Sequence, residues 1–459
     1  MKAVEYLQSS DIICQKCKTE QVILKNRSEM YCCSCYLRFI RGKQRKHMSS
    51  EKYKVNYKRQ VANEGLEKVL LAFSGGTSSL VLLDVLANLL VEQKQMHRGL
   101  QGFELVVVNL DEYELKSLEK SVSGILVELL QRFPSINCAV KIISLDSYID
   151  STSLRSITVD HEFTSLEHKV DDDESNGVTL SQLLNSCSNK SSAEDLLTIA
   201  SEHLLLKTAF EEKCGTIVYG HSMSRLANEV LSLTVKGRGS MIHRKIVNRV
   251  ESYGCKQFSI IYPFRDLLQV ELEEYAKLSH LEKYIVRSTN VKSKVSKNQT
   301  VGEILANYLE NLDESGYVST TSTVVKIAEK LGPPPPQPLL LVNPTSLCQV
   351  CGTEIYNNPK HWLKMITVSE PAPLFSQEEK QYAAEYFANP NDTIVQDLQS
   401  SSPIDLCYGC IVAFNGVKDN KGLVWPVQPR GNLNTIEKEK EKEKEKENIL
   451  KEFILTDNE

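Results

Sequence analysis

Leu70-Leu71-Ala72-Phe73-Ser74-Gly75-Gly76-Thr77-Ser78-Ser79-Leu80 is the stretch on which the fold turns. An apolar run over 69–73 ends at Ser-Gly-Gly. It passes directly into 78–91, where Leu80, Leu83, Leu86 and Leu90 recur at helical spacing. The first pattern predicts a buried strand and the second a helix. Glycines let the backbone bend tightly, N–H groups converge in the turn, and the dipole of the helix favours negative charge. Ser74, Gly75, Gly76, Thr77, Ser78 and Ser79 therefore form a candidate phosphate cradle. Neither G-x-x-x-x-G-K nor G-x-G-x-x-G is present, so the turn is neither a Walker loop nor a dinucleotide fingerprint.

The alternation continues outward. Residues 103–109, 139–143 and 216–220 read as strands; 115–133, 193–214 and 226–235 read as helices, followed by 267–281 and 301–312. Strands alternating with helices predict an α/β domain over 61–331, a parallel sheet with helices on both faces. Ligands of such sheets lie at the carboxyl ends of the strands. From about 145 to 192 the pattern decays, and the acidic run 171–177 reads as a surface insertion. A proline-rich linker is expected over 332–344, and a C-terminal Cys-rich module over 345–430. The tail 431–459 contains a strict Glu-Lys alternation without an apolar face, which reads as solvated helix or disorder.

With 459 residues, 41% hydrophobic and 25% charged, the chain has ordinary globular proportions and room for two or three domains. Its apolar runs fall far short of the roughly 18 residues of a membrane span, and residues 1–6 lack the apolar core of a secretory signal. Membrane-integral and secreted proteins are both disfavoured, and a cytoplasmic location is expected. The net charge of -5 conceals a basic front: residues 1–60 hold 14 Lys+Arg against 5 Asp+Glu. That front reads either as a solvated arm or as a polyanion contact.

Eight of the 13 cysteines form four C-x2-C pairs, which points to reduced thiolates holding metal rather than to disulfides. Cys14, Cys17, Cys32 and Cys35, with Cys33 spare, predict one tetrahedral zinc site in an N-terminal module over 1–60. Cys348, Cys351, Cys407 and Cys410 predict a second, closing the C-terminal module as a folded unit. The run that follows the first site offers Arg38, Arg41, Lys43, Arg45 and Lys46 to nucleic-acid phosphates. Tyr31, Tyr36, Phe39 and His47 lie among these cations and read either as base-stacking groups or as the small core of the knuckle.

The glycine turn resembles the PP-loop of ATP pyrophosphatases, S-G-G-x-D-S, found in enzymes that adenylate a carbonyl oxygen and release pyrophosphate. Ser78 stands where that motif has Asp, so a carboxylate that orients Mg2+ or orders the loop is missing. Backbone cradling of ATP phosphates can survive that loss; metal-assisted adenylyl transfer loses a group it needs. The stretch 216–231 resembles the G-H-N-x-D-D-x-x-E-T segment of tRNA-thiolating PP-loop proteins. Gly220 and His221 are kept, Ser224 and Arg225 replace the acidic pair, and Glu229 is no substitute for it. The resemblance implies Asp111 and His221 as nucleotide or tRNA contacts, although His221 reads equally as a structural histidine at a strand end. Neither 196–206 nor 284–290 has the cysteines with which such thiolases hold a cluster or carry sulfur. Cys138, Cys187, Cys214 and Cys255 form no pair and read as small packing residues.

In order along the chain, the N-terminal cysteines, the Ser-Gly-Gly-x-Ser-Ser loop and Cys407-Tyr408-Gly409-Cys410 resemble the cytoplasmic tRNA 2-thiolation protein 2 family. The resemblance covers nearly the whole chain. It implies a non-catalytic subunit that binds tRNA and pairs with a catalytic PP-loop subunit. That complex would place sulfur from a thiocarboxylated ubiquitin-related modifier on wobble uridine U34. Two other readings are an active PP-loop adenylyl/sulfurtransferase and a zinc-knuckle adaptor unrelated to tRNA.

Overall fold

A computed structural model describes residues 4–6, 12–57, 65–112, 119–149, 154–160, 163–170, 177–287, 299–333, 346–356, 358–366, 376–381, 402–415 and 422–427. The chain divides into two compact units: Met1–Tyr148 with Ala200–Pro333, and Ile149–Ile199 with Pro334–Glu459. Most of the acidic run 171–177, most of the linker 332–344 and the Glu-Lys tail lie outside the described residues.

The first unit opens with a small antiparallel sheet, β1 (Val4–Tyr6), β2 (Leu24–Asn26) and β3 (Glu29–Tyr31), followed by a helix over Cys33–His47. Next come β4 (Glu67–Ala72), β5 (Phe103–Asp111) and β6 (Cys138–Ser144). Strands β7 (Leu154–Val159) and β8 (Ser165–Lys169) belong to the second unit; β9 (Thr216–Tyr219), β10 (Arg249–Tyr253) and β11 (Lys256–Ile261) return to the first. The main sheet runs β10-β11-β9-β4-β5-β6, parallel except for β10. The strands expected from the apolar runs 69–73, 103–109, 139–143 and 216–220 are β4, β5, β6 and β9, displaced by at most a few residues.

The sheet order reverses direction between β4 and β9. That is the topological switch point, where an open α/β sheet leaves a crevice beyond its carboxyl ends. Helix Thr77–Met96 follows β4 and buries Leu80, Leu83, Leu86 and Leu90, the stripe read from the sequence. Helices Met223–Val235, Val301–Glu314 and Val318–Ala328 pack together; the last has no counterpart in the sequence reading. Sequence periodicity over 115–133 yields a helix only over Val122–Leu130 among the described residues.

The N-terminal module shares the main core. Val22, Leu24, Tyr31, Tyr36 and Ile40 lie in one apolar cluster with Leu80, Leu272 and Tyr275. Tyr31, Tyr36 and Phe39 pack ring against ring at 5.5–6.2 Å, so these aromatics form the core of the knuckle. An ion pair between a partly exposed arginine and a buried carboxylate fixes the module in place. Arg27 donates from Nε and Nη2 to the two oxygens of fully buried Glu271, at 2.8 and 2.9 Å. Glu271 also accepts the N–H of Leu268 at the start of helix Gln269–Leu278, and its carbonyl accepts the Tyr36 hydroxyl.

In the second unit, part of the stretch 145–192, where the sequence pattern decays, forms strands. β7 pairs with β8 and with β15 (Leu423–Pro426), while β8 pairs with β14 (Ser402–Pro403). Chain segments more than 200 residues apart thus form one antiparallel sheet around fully buried Trp425. A two-strand ribbon, β12 (Ser346–Leu347) with β13 (Glu354–Ile355), precedes helices Pro359–Ile366 and Tyr408–Phe414.

Arg27 occupies the two-residue turn between β2 and β3 at φ 56°, a conformation that costs a non-glycine side chain about 1 kcal/mol. Arg27→Ala keeps that strain and strands a buried carboxylate. It is expected to lower unfolding stability by about 1–3 kcal/mol in urea titration. Arg27→Gly relieves the backbone and should lose less; equal losses would show that the turn is unstrained.

Candidate functional site

The glycine loop leaves β4 and enters helix Thr77–Met96 with Gly76 at the N-cap. Gly75 takes φ +78, and a Cβ there would meet Val286 at 3.0 Å and Val122 at 3.2 Å. Its carbonyl accepts the Val286 N–H at 3.0 Å. Ser79 is buried and ties the turn together: its hydroxyl donates to the Gly76 carbonyl at 3.0 Å and accepts the Ser74 N–H at 3.3 Å. Asn109 on β5 donates to the Phe73 carbonyl at 2.8 Å. Gly220, just beyond β9, lies against the loop so closely that a Cβ would stand 2.9 Å from Ser78 backbone atoms. The two sequence motifs therefore meet at the switch point.

What they assemble is a network of hydroxyls and one amide. Ser78 Oγ donates to Gln269 Oε1 at 2.8 Å, and Ser222 Oγ reaches the same oxygen at 3.3 Å. The Gln269 N–H donates to Ser224 Oγ at 3.2 Å. Ser224 and Thr321 in turn donate to the two oxygens of buried Asp313, at 3.3 and 3.0 Å. Burial raises the Asp313 carboxyl above its ordinary pKa. Sequence reasoning missed Gln269 and Asp313, which come from helices about 45 and 90 residues beyond Ser224 with no motif of their own. Thr77 opens the helix, half-buried, and Asp111 lies exposed at the carboxyl end of β5.

His221 stacks on Tyr262 at 5.4 Å with an interplanar angle of 19°, and lies 5.3 Å from Tyr219. Tyr262 donates to the Lys245 carbonyl and accepts from Arg249 at 3.0 Å. Burial, with the charges of Arg225, Arg249 and Lys245, pushes the His221 pKa down to about 3. The ring is a neutral packing group in this setting. Its depressed pKa gives stability that is complete above the unfolded value near 6.5 and drains away as pH falls toward 3. His221→Phe should flatten the loss of melting temperature between pH 6.5 and 4; an unchanged slope would contradict the neutral ring.

All 13 cysteines are free thiols, and among the described residues eight gather into two clusters of four. Within each cluster the sulfurs lie within 4.8 Å of one another. Four thiolates bound to one zinc at about 2.3 Å would stand about 3.8 Å apart. Cys17 and Cys32 are 3.8 Å apart, and Cys351 and Cys407 are 3.5 Å apart. The donor set and spacing fit zinc. Zinc here would be a structural cross-link, with all four positions taken by protein.

The two clusters are built alike. In each, the first pair closes a turn by a backbone bond: Lys18 N–H to Cys14 O at 2.9 Å, Gly352 N–H to Cys348 O at 2.8 Å. The residue after the pair is left-handed in both, Lys18 at φ 58° and Gly352 at φ 72°. The second pair opens a helix, with Cys32 or Cys407 as the N-cap and Cys35 or Cys410 in the first turn. Burial raises the Cys32 and Cys35 thiols above their ordinary range, and hydrogen bonds with Cys348 and Cys351 raise Cys407 and Cys410. Hydrogen bonds from the Thr19 hydroxyl and from backbone N–H groups bring Cys17 down to about 6. Cys33 opens the first helix but is outside the cluster. Outside the clusters, burial pushes the thiols of Cys138 up to about 12, and of Cys187 and Cys214 up to about 11.

The basic helix Cys33–His47 carries the expected cations, several of them engaged within the chain. Arg45 and Arg41 pair with Glu92, and Lys46 and His47 with Asp266. Arg41 also donates to the Tyr275 hydroxyl. Lys43 lies over the Phe39 ring, and Arg38 is exposed.

The family model described as cytoplasmic tRNA 2-thiolation protein 2 matches residues 300–412. Curated proteins of that name extend the match to nearly the whole chain. The one from Debaryomyces hansenii is 47% identical, covering 99% of this chain and 98% of its own; that from Lodderomyces elongisporus is 51% identical, covering 99% and 100%. The chain belongs to the cytoplasmic tRNA 2-thiolation protein 2 family. A solved structure of the U34-tRNA thiolase NcsA from Methanococcus maripaludis, with its [4Fe-4S] cluster, aligns with 80% of this chain and 100% of its own. The sequence identity is 15% and the TM-score 0.49. Among the described residues of this family member, no helix is long and apolar enough to cross a membrane.

Elemental analysis of the purified chain is expected to find close to two zinc ions per molecule. Cys14→Ser and Cys407→Ser should each remove one. Zinc absent from the wild type, or retained in both variants, would reject the assignment.

Proposed function

We propose that this chain is the non-catalytic subunit of a cytoplasmic complex that thiolates the wobble uridine U34 of tRNA at C2. Its partner is a catalytic PP-loop subunit, and sulfur comes from a thiocarboxylated ubiquitin-related modifier. Family membership supports the tRNA 2-thiolation role. The observation that carries the non-catalytic reading is Ser78 bonded to Gln269 where a PP-loop enzyme has a carboxylate.

Adenylation needs a triphosphate held in line and its leaving pyrophosphate neutralised, in most such enzymes by carboxylate-held Mg2+. Asp313, the carboxylate nearest Ser224 in the network, is buried and bonded by two hydroxyls, so it is poorly placed to bind Mg2+. Sulfur transfer needs a thiolate or cluster near the activated carbon. Cys138, Cys187 and Cys214 are held protonated by burial; Cys255 is exposed rather than the packing residue expected from the sequence, and belongs to no cluster among the described residues. Both halves of the chemistry lack their groups independently.

In this reading the zinc modules fold the two ends of the chain and the basic helix faces tRNA. Arg38, Lys43 and the exposed heads of Arg45 and Lys46 are offered to phosphates; surface pairs such as theirs are worth about 0–1 kcal/mol and exchange readily. Arg41, half-buried against Tyr275, serves docking.

The test is a reconstituted assay with ATP, tRNA and a sulfur donor. The chain alone should form no 2-thiouridine, and its omission should abolish product formed with the catalytic subunit. Ser78→Asp should leave the lone chain inactive, because sulfur chemistry is still missing. Robust product from the wild-type chain alone would establish an active adenylyl/sulfurtransferase and refute the proposal.

A further inference from the structure

Gly42 lies in the interior of helix Cys33–His47, where neither backbone nor packing calls for a glycine. Its conformation is ordinary helix, not the left-handed one that favours glycine, and a Cβ there would meet nothing within 4 Å. Gly75 and Gly220 are different, for a Cβ at either would stand against neighbouring atoms. A glycine inside a helix costs stability relative to alanine, because it has more freedom to lose on folding. No contact among the described residues accounts for that cost at 42.

The bare backbone lies among cations. On a helix the neighbours of residue 42 are 38, 39, 45 and 46, one turn to either side. These are Arg38, the half-buried ring of Phe39, Arg45 and Lys46. Arg38 is exposed and pairs with no carboxylate among the described residues. The side chains of Arg45 and Lys46 are 50% and 65% exposed even in their pairs with Glu92 and Asp266. The helix carries five Lys and Arg and no carboxylate; Arg41 and Arg45 share Glu92, and Lys46 meets Asp266, so five cations face two carboxylates. The four-thiolate cluster is negative even with zinc, but it sits at the other end of the helix. Its last ligand, Cys35, precedes Gly42 by about 10 Å along the axis, a distance over which salt screens exposed charge.

We propose that Gly42 is the floor of a notch that seats the sugar-phosphate backbone of tRNA, with Arg38 on one side and Arg45 and Lys46 on the other. Lacking a Cβ, the floor lets a phosphate come close enough for cations of both turns to reach it at once. This inference rests on the tRNA-binding part of the proposed function and names the residue that sets how closely the basic helix approaches the RNA.

Stability and binding should move in opposite directions. In the full-length, metal-loaded chain, Gly42→Ala should raise the melting temperature by about 1–3 °C while weakening the binding of an unmodified tRNA transcript. Gly42→Leu should weaken binding further, by about tenfold, and lower the slope of log affinity against log salt by about one, as the loss of a phosphate contact does. Arg38→Ala should cost less affinity in the Gly42→Leu background than in the wild type, because both changes remove the same contact. Both glycine variants should keep their full zinc content; if Gly42→Leu loses zinc, Gly42→Ala decides alone. If the wild type binds no tRNA, the proposed function fails and this notch with it. If the wild type binds and the folded glycine variants bind equally well, this inference alone is overturned. It is likewise overturned if they keep tRNA affinity but lose the catalytic PP-loop subunit in co-purification, for the bare turn is then a protein contact.

Discussion

The backbone beyond β9 comes so near the glycine loop that Gly220 has no room for a Cβ beside Ser78. That approach follows from parallel pairing of β4 with β9 at the switch point, and the rest of the first unit is arranged around it. It brings two motifs 140 residues apart into one crevice. It also places Ser222 and Ser224 where Gln269 can bond to them. A side chain at 220 would push the two strand ends apart and open the crevice.

In the crevice the polar side chains around the glycine loop are bonded to one another. Hydroxyl, amide and buried carboxylate form a chain from Ser78 through Gln269 and Ser224 to Asp313 and Thr321. A carboxylate at 78 would face the Gln269 carbonyl oxygen, so restoring it also requires rearranging Gln269. The network holds the loop in place with a hydroxyl rather than a carboxylate at 78.

Two cysteine clusters share one construction, a bonded turn followed by a helix N-terminus, yet do different work. The first is part of the main core, held by Arg27 to Glu271 and by the aromatics that the sequence left open between base stacking and packing. The second joins segments 56 residues apart and stiffens a short helix that otherwise has too few turns to be stable alone. Of the basic run 38–46, sequence conveyed the charge but not its partners: Glu92 and Asp266 approach only once the helix is docked.

Local pattern by itself determined the strands β4, β5, β6 and β9, the glycine turn, and the grouping of eight cysteines, because periodicity and C-x2-C spacing act over a few residues. It also fixed the missing carboxylate at Ser78, since a residue's identity needs no fold to be read. The tertiary structure alone decided that residues 149–199 pair with the C-terminal segment, that Gln269 and Asp313 reach the loop, and that His221 is neutral against Tyr262. Each of these depends on contacts between residues tens to hundreds of positions apart. Burial, which sets the titration of His221 and leaves Trp362 exposed while enclosing Trp425, is a property of the packed chain rather than of any segment of it.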